Sequence, residues 1–300
     1  MPCSPPKLLL LGKDGQLGWE LFRSLASVFE VVATGREDVD LADVGRLRAC
    51  VRRIRPTIIV NAAAYTAVDK AESEPELARA VNAVAPAVLA EESSRLHIPL
   101  VHFSTDYVFD GRKSIPYTEN DPPNPTSVYG ETKLAGEEAV RHSNPRHLIF
   151  RLSWLYGTRG SNFFLTMLRF AWAGRRPSVV DDQIGSPTSS RPVAEAVASV
   201  VHDVWLTEPE CWGTYHLSAA GRTSWYSFAR EIFSEISRLE GGEQVSPLAI
   251  PTTDYPAAAI RPAFSVLSNK KAAERLGIRM ADWRYQLTSV CRRHFGPDGQ

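Results

Sequence analysis

The distribution of apolar and polar positions divides the chain into two parts. Through the first half, short continuous apolar runs, typical of strands buried on both faces, alternate with helical patterns. The runs are Lys7–Leu11, Glu30–Thr34, Thr57–Asn61, Ile98–Phe103 and His147–Leu152. The expected helices begin near Trp19 and Val44, extend over Glu76–Leu96, and include Tyr129. Such alternation predicts an α/β fold with a doubly wound parallel sheet.

The regular alternation weakens after Leu152. Helices are expected at Asn162–Ala173, Pro192–Trp205 and Ser224–Leu239 and around Ala272 and Gln286, with short strands at Ser178–Val180 and Thr214–Leu217. We therefore predict an NAD(P)-binding domain over residues 1–152, to which residues from about 188 to 218 return. A smaller α/β substrate-binding lobe is expected within residues 153–300.

A glycine-rich turn follows the first apolar run and precedes the first helix. Gly12, Gly15 and Gly18 stand in a G-x-x-G-x-x-G pattern, with Gln16 and Leu17 between the last two. Glycines allow a tight turn and close approach of backbone to a pyrophosphate, whose charge lies over the helix N-terminus. The position of this turn predicts a Rossmann-type dinucleotide site.

The second strand ends where such a fold meets the adenosine ribose. Gly35 and Arg36 stand there, which leaves room and positive charge for a 2′-phosphate. This favours NADPH, with NADH as the alternative because acidic residues follow. Asp40 and Leu41 could hold the adenine edge, although Asp40 could equally cap the helix near Val44.

Tyr129 and Lys133 lie four residues apart in a predicted helix, so their side chains share one face. A neighbouring ammonium favours the phenolate, which suits the tyrosine to acid/base chemistry. A surface helix can carry such a pair by chance. Thr105, at the carboxyl end of the fourth strand, lies where open α/β sheets bind ligands.

Composition narrows the class of protein. The chain has 34 basic and 34 acidic side chains, and this balance argues against nucleic-acid or membrane-surface partners. We expect a cytoplasmic protein, because the cysteines suggest no disulfide framework. The N-terminus also lacks a signal-peptide pattern, and no apolar run has membrane-spanning length. The cysteines are scattered, which predicts neither disulfides nor a metal site: Cys3, Cys50, Cys211 and Cys291.

Several sequence blocks together resemble the dTDP-4-dehydrorhamnose reductase family of extended short-chain dehydrogenase/reductases. The blocks are Gly12–Gly18, Asn61–Glu72, Ser104–Gly111, Tyr129–Glu137, Arg151–Gly157, Asp182–Thr188 and Arg261–Pro262. They span nearly the whole chain. Long matching blocks are far more specific to a family than a tyrosine and a lysine four residues apart.

The resemblance implies a cofactor and a reaction. NAD(P)H is expected along Gly15, Gln16 and Leu17, with its nicotinamide near three further residues: Ala64, Tyr65 and Thr66. The partner is a nucleotide sugar whose 4-keto group receives hydride.

The resemblance also assigns catalytic roles. Tyr129 protonates the developing alkoxide, and Thr105 donates a hydrogen bond to the same oxygen. Lys133 holds the nicotinamide ribose and keeps the tyrosine acidic.

Substrate contacts implied by the resemblance involve Asp106, Trp154 and Arg261, with Trp154 stacking on the sugar ring. Arg261 suits the substrate diphosphate, although a structural ion pair is nearly as well supported. A homodimer is compatible with the family. Some members join subunits through magnesium; Glu20 fits that pattern, but Arg191 replaces an expected carboxylate, so no metal is predicted.

Two alternatives stay open at this point. The family also resembles the regulatory β subunit of methionine adenosyltransferase, which keeps the tyrosine and lysine but binds a partner enzyme. Trp154 and the Asp182–Thr188 block favour the reductase, because they are sugar-site features. The substrate could also be another nucleotide-linked 4-keto sugar.

Overall fold

The computed structural model describes residues 5–207, 210–241 and 246–296. Cys3 therefore lies outside the described residues. Within these ranges the strands are, in chain order from β1 to β12, Lys7–Leu11, Glu30–Thr34, Ile58–Asn61, Leu100–Thr105, His147–Leu152, Leu155–Tyr156, Ser178–Val180, Ile184–Gly185, Thr188–Ser189, Gly213–His216, Thr223–Ser224 and Leu248–Ile250. The α-helices, from α1 to α11, are Gln16–Leu25, Val44–Ile54, Val68–Ala71, Pro75–Arg79, Ala85–Arg95, Val128–Ser143, Phe163–Trp172, Ser190–Thr207, Trp225–Glu240, Lys270–Leu276 and Trp283–Phe295.

Six parallel strands form the central sheet, in the order β10-β5-β4-β3-β1-β2. Helices cover both faces, so the predicted doubly wound α/β fold is confirmed. The sheet interior consists of aliphatic side chains such as Leu8, Leu10 and Val60, which are fully buried. Parallel strands of this kind read as continuous apolar runs because helices cover both faces.

The sixth strand comes from late in the chain. Tyr215 of β10 lies in register with Phe150 of β5, and α8 packs against α1 on one face of the sheet. Residues after 152 otherwise build a separate apolar cluster around Tyr156, Phe164 and Phe228. The proposed domain boundary at residue 152 stays a prediction, with β10 and α8 on the dinucleotide side.

Several element boundaries differ from prediction for local reasons. Helix α1 begins at Gln16 rather than Trp19, because Gly15 in extended conformation is its N-cap. Strand β4 lies two residues later than predicted, after His97 in the left-handed region. Asp43, not Asp40, caps α2 by accepting from the amide of Arg46 at 3.0 Å.

The long helix predicted over Glu76–Leu96 is interrupted. A π-helical turn, Ala80–Val84, joins α4 to α5. It brings the carbonyl of Asn82 so close to α6 that a β-carbon at Gly136 would overlap it. Such turns often mark functional sites. No helix in the described ranges is long and apolar enough to span a membrane.

Candidate active site

A cavity of about 1120 Å³ lies at the carboxyl ends of the sheet strands, covered by the second lobe. Most of the side chains singled out in the sequence line it: Gly12, Gly15, Gln16, Leu17, Arg36, Asp40, Leu41, Ala64, Tyr65, Thr66, Thr105, Asp106, Tyr129, Lys133, Trp154 and Arg261. Gly18 does not. The structure therefore brings the glycine turn, the predicted acid/base pair and the predicted sugar contacts into one space.

The glycine turn is defined by close backbone packing. Gly12 has a φ of +87°, and a β-carbon there would lie 2.7 Å from the amide nitrogen of Ala63. A β-carbon at Gly18 would overlap the carbonyl oxygen of Gly12. Gly18 thus allows α1 to rest on the turn, and its assignment as a cofactor contact stays a prediction.

The N-terminus of α1 fits an anionic group. Gly15 provides no side-chain cap, so the first amides of the helix are available to a ligand, as a pyrophosphate requires. The Gln16 side chain is engaged elsewhere, because it donates to the carbonyl of Leu155 and accepts from Asn162, both at 3.2 Å. These bonds tie the glycine turn to the second lobe.

The end of β2 leaves Arg36 accessible, with a side chain 78% exposed and 3.5 Å from Asp40. The carboxylate of Asp38 accepts from the Gly35 amide at 2.8 Å and from Lys13 at 2.6 Å. These two partners, the Gly35 amide first, lower the pKa of Asp38. Asp38, one of the acidic residues that weakened the NADPH argument, is thus paired with Lys13 within the turn.

The π-helical turn holds in place the turn of small residues that follows β3. Asn82 accepts from the Tyr65 amide at 2.8 Å and donates to the Tyr65 carbonyl at 3.0 Å. The Tyr65 hydroxyl donates to Glu74 at 2.7 Å. Asn82 carries no motif of its own, and sequence reasoning missed it.

Tyr129 lies one residue inside α6, whose N-cap Ser127 accepts from the amide of Gly130. Burial raises the pKa of Tyr129 to about 12, while a hydrogen bond with Thr105 opposes the shift and the Asp106 carboxylate adds to it. The acidification of this phenol by Lys133 stays a prediction. The phenol is protonated at neutral pH.

Lys133 is almost fully buried in the same helix. Its ammonium donates to the carbonyl of Phe103 at 2.6 Å and lies 3.4 Å from His102. Burial lowers the pKa of Lys133 to about 8, and Glu137 opposes that shift. Glu137 itself is committed to Arg151, with a 2.7 Å contact, and cannot neutralise the lysine fully.

Asp106 is a buried carboxyl group at the start of the turn after β4. Thr105 donates to it at 3.2 Å and Ser153 at 2.9 Å. Burial raises the pKa of Asp106 to about 6, while hydrogen bonds from Ser265, Ser153 and Thr105 oppose the rise. The carboxyl group is therefore held beside the reacting hydroxyls and takes up a proton only below neutral pH.

Trp154 has a φ of +46° and stacks on Trp225, with ring centroids 3.5 Å apart and planes 5° from parallel. A β-carbon at Gly185 would overlap its indole. Because Trp225 covers one face of Trp154, stacking of Trp154 on a sugar stays a prediction. Trp225 lines the same cavity, and nothing in the sequence marked it.

Arg261 forms a bidentate ion pair with Asp69, with contacts of 2.6 and 3.1 Å. Asp69 also accepts from the amide of Ala259 at 3.1 Å, and Arg261 hydrogen-bonds to Tyr107. This arrangement favours the structural ion pair that sequence analysis left open. It ties the loop before Pro262 to α3.

The acidic cluster considered for a metal-bridged dimer is replaced by an ion pair. Arg191 contacts Glu195 at 2.7 Å, and Glu20 lies near enough to raise the pKa of Arg191 further. Within residues 5–207, 210–241 and 246–296, no group of three or more histidine, cysteine or acidic side chains could hold a metal ion.

Comparison with known proteins places this geometry in a family. The model of the RmlD substrate binding domain matches residues 6–295. The chain belongs to this family. It is 44% identical to a dTDP-4-dehydrorhamnose reductase of Burkholderia thailandensis over 96% of this chain and 98% of that protein. Against the enzyme of the same name from Salmonella typhimurium, identity is 43%, with coverage of 96% and 98%.

Solved structures agree with the sequence comparison. A dTDP-4-dehydrorhamnose reductase from Bacillus anthracis, crystallised in complex with NADP, aligns with a TM-score of 0.89 and 34% identity. The alignment covers 96% of this chain and 99% of that one. The resemblance inferred from the sequence blocks is thereby confirmed, as is membership in an enzyme family of oxidoreductases.

Proposed function

We propose that this protein reduces the 4-keto group of dTDP-4-dehydro-L-rhamnose to give dTDP-L-rhamnose, with NADPH as hydride donor. The observation that carries this proposal is the gathering of Thr105, Tyr129 and Lys133 beside an anion-binding glycine turn in one cavity. Identity above 40% over nearly the full length of reductases of that name supports the substrate.

Tyr129 is suited to be the proton donor in the reductive direction. A general acid must carry its proton before the reaction, and a phenol with a pKa near 12 does so at neutral pH. The alkoxide that forms on hydride arrival is a stronger base than the phenolate, so the proton moves from Tyr129 to the sugar oxygen. The Tyr129 O–H bond breaks as the sugar O–H bond forms.

Thr105 stabilises the developing charge. Its hydroxyl is hydrogen-bonded with Tyr129 and donates its single proton to Asp106, so it stabilises the substrate oxygen by turning this proton from the carboxylate to that oxygen. A hydroxyl donor contributes more in a buried site than in water. The Asp106 carboxylate holds this hydroxyl and is the polar group we assign to a sugar hydroxyl.

The cofactor fits residues of this chain. The first amides of α1, with Gly12 and Gly15, would hold the pyrophosphate, and Arg36 would hold a 2′-phosphate. Ala64 and Tyr65 would lie against the nicotinamide, and Lys133 against its ribose. When bound, NADPH supplies the hydride.

The test is NADPH oxidation, measured by absorbance, on addition of dTDP-4-dehydrorhamnose. We expect turnover by the wild type and a loss of at least two orders of magnitude in kcat for Tyr129→Phe, since general acid catalysis contributes roughly 10²–10⁴-fold. Tyr285→Phe is the matched control, because Tyr285 is 70% exposed and lies outside the cavity. It should keep wild-type activity.

The same assay separates the alternatives. Turnover with another nucleotide-linked 4-keto sugar, and none with the dTDP sugar, would replace the substrate. NADPH binding without any turnover, together with capture of a methionine adenosyltransferase, would favour the regulatory subunit. Gln183, whose side chain is buried at the cavity and bonded to Thr252 at 3.1 Å, supports the reductase because it belongs to the sugar-site block.

Two further proposals rest on the sequence. A homodimer is proposed from the family resemblance, without a bridging metal, and sedimentation of the purified protein tests it. A cytoplasmic location is proposed from the cysteine pattern; Cys50, Cys211 and Cys291 are free and buried.

A further inference from the structure

Behind Lys133 lies a buried polar pair on the sheet, formed by Asn61 at the end of β3 and His102 in β4. Both side chains are 1% exposed. The amide nitrogen of Asn61 is 3.2 Å from His102 Nδ1, and His102 Nε2 is 3.4 Å from Lys133 Nζ. The three side chains form one row from the interior to the cavity.

The orientation of Asn61 is fixed by the backbone. Its Oδ1 accepts from the amide of Ala63 at 3.2 Å, so its amide nitrogen is the atom that faces His102. An amide nitrogen only donates, and Nδ1 of His102 must therefore accept. Burial and the nearby Lys133 keep the imidazole neutral by lowering its pKa well below the ordinary value. Its single proton consequently resides on Nε2.

In this tautomer the Nε2–H group of His102 points at the Lys133 nitrogen. When that nitrogen is an ammonium it also has only donors, so neither group can accept from the other. The Lys133 ammonium can satisfy one N–H on the Phe103 carbonyl, at 2.6 Å, but the N–H aimed at His102 meets a donor. A neutral amine has a lone pair and would accept from Nε2–H. The contact thus favours release of the lysine proton.

We propose that Asn61 and His102 are positioning residues that weaken the hold of Lys133 on its proton by fixing an Nε2–H donor against its nitrogen. The inference rests on the proposed reductase function for its consequence in turnover. The Ala63 amide fixes the orientation of Asn61, and Asn61 fixes the tautomer of His102. His102 in turn acts on Lys133.

The charges around Lys133 are consistent with this assignment. On α6, Glu137 favours the ammonium, but it is bonded to Arg151 of β5 and to Arg141 at 2.8 Å. Asp106, after β4, raises the pKa of Tyr129 and forms no ion pair with Lys133. No carboxylate in the described ranges forms a hydrogen bond or ion pair with the Lys133 ammonium. No counter-ion therefore offsets the effect of the His102 N–H group on it.

The consequence for the reaction is a lysine that titrates near working pH. Lys133 must be charged to hold the cofactor ribose and to favour the phenolate left after proton transfer. Activity and NADPH binding should therefore decline as pH rises through the pKa of Lys133, which lies near 8. Without Asn61 and His102 this decline should occur at higher pH.

The test is the pH profile of His102→Gln between pH 6 and 10. A glutamine carbonyl oxygen can accept from the ammonium, so the alkaline limb of kcat/KM should move up by about one pH unit, the scale of one hydrogen bond to a charge. His142→Gln is the control, because His142 is exposed at the end of the same helix. Its profile should match the wild type.

A second variant also gives the Lys133 ammonium an acceptor, by changing the tautomer of His102. In Asn61→Asp both oxygens accept, so the Ala63 bond survives while His102 turns its Nε2 into an acceptor for Lys133. The limb should again move to higher pH, by more than in His102→Gln because a carboxylate has been added.

The pH dependence of NADPH binding, followed by fluorescence without sugar, gives a readout that does not require turnover. Failure of the proposed function would leave these binding shifts in place. Active or NADPH-binding variants whose alkaline limbs coincide with the wild type would overturn the inference.

Discussion

Replacing Lys133 by methionine should stabilise the fold while it abolishes catalysis. Burial lowers the pKa of Lys133 from 10.5 to about 8. Since one pKa unit corresponds to about 1.4 kcal/mol, the buried charge costs about 3 kcal/mol at pH 7. Methionine has a similar length, carries no charge and fits irregular spaces. The lost bond to Phe103 offsets about 1 kcal/mol, leaving a net gain of about 2 kcal/mol.

The pH dependence identifies the cause of this gain. Between the folded pKa near 8 and the unfolded value of 10.5, the unfolded wild type binds a proton that the folded form does not. Wild-type stability therefore rises with pH through this window, and the methionine variant lacks that rise. The advantage of Lys133→Met should shrink by about 2 kcal/mol between pH 7 and pH 9.5.

Urea unfolding followed by circular dichroism at several pH values provides the measurement. Lys270→Met is the control, because Lys270 is 79% exposed in its side chain, and its stability difference should stay constant with pH. A constant advantage for Lys133→Met over the same range, or a destabilised variant, would refute the reasoning that the buried charge carries the cost.

Three further outcomes follow from the structure. Arg36→Ala should raise KM for NADPH about tenfold and leave KM for NADH unchanged; equal effects on both would contradict a 2′-phosphate contact. Gly185→Ala should displace Trp154 from Trp225, so KM for the sugar should rise while NADPH titrations match the wild type. Glu92→Gln should cost about 1 kcal/mol at pH 7, because half-exposed arginines screen the loss. Its deficit should fade from pH 4.5 towards 2, the window set by the Glu92 pKa of about 2.

The sheet could be predicted well from sequence because buried parallel strands produce an unmistakable apolar run. The bounds of β1, β2 and β5 are as predicted, and β4 shifted only because the turn at His97 precedes it. The interruption of the helix over Glu76–Leu96 could not be foreseen. A π-helical turn depends on tertiary packing against Gly136, which propensity does not register.

Some features of the site could likewise be predicted from sequence, and others could not. Tyr129 and Lys133 follow a local spacing, so their shared face was predictable. The raised pKa of Tyr129 was not, because it depends on burial by segments that are distant in sequence. His102 gave a partial signal as the one polar side chain among Leu100, Val101 and Phe103. Trp225 gave none, since its partner Trp154 is far away in sequence.

The late return of β10 to the sheet has a consequence for biosynthesis. Until residues 213–216 leave the ribosome, the backbone edge of β5 and the side chain of Phe150 lack the neighbour that Tyr215 supplies. An unpaired strand edge is a template for pairing with other chains. A nascent chain ended near residue 152 should therefore aggregate or recruit a chaperone, even though it contains all of the dinucleotide turn.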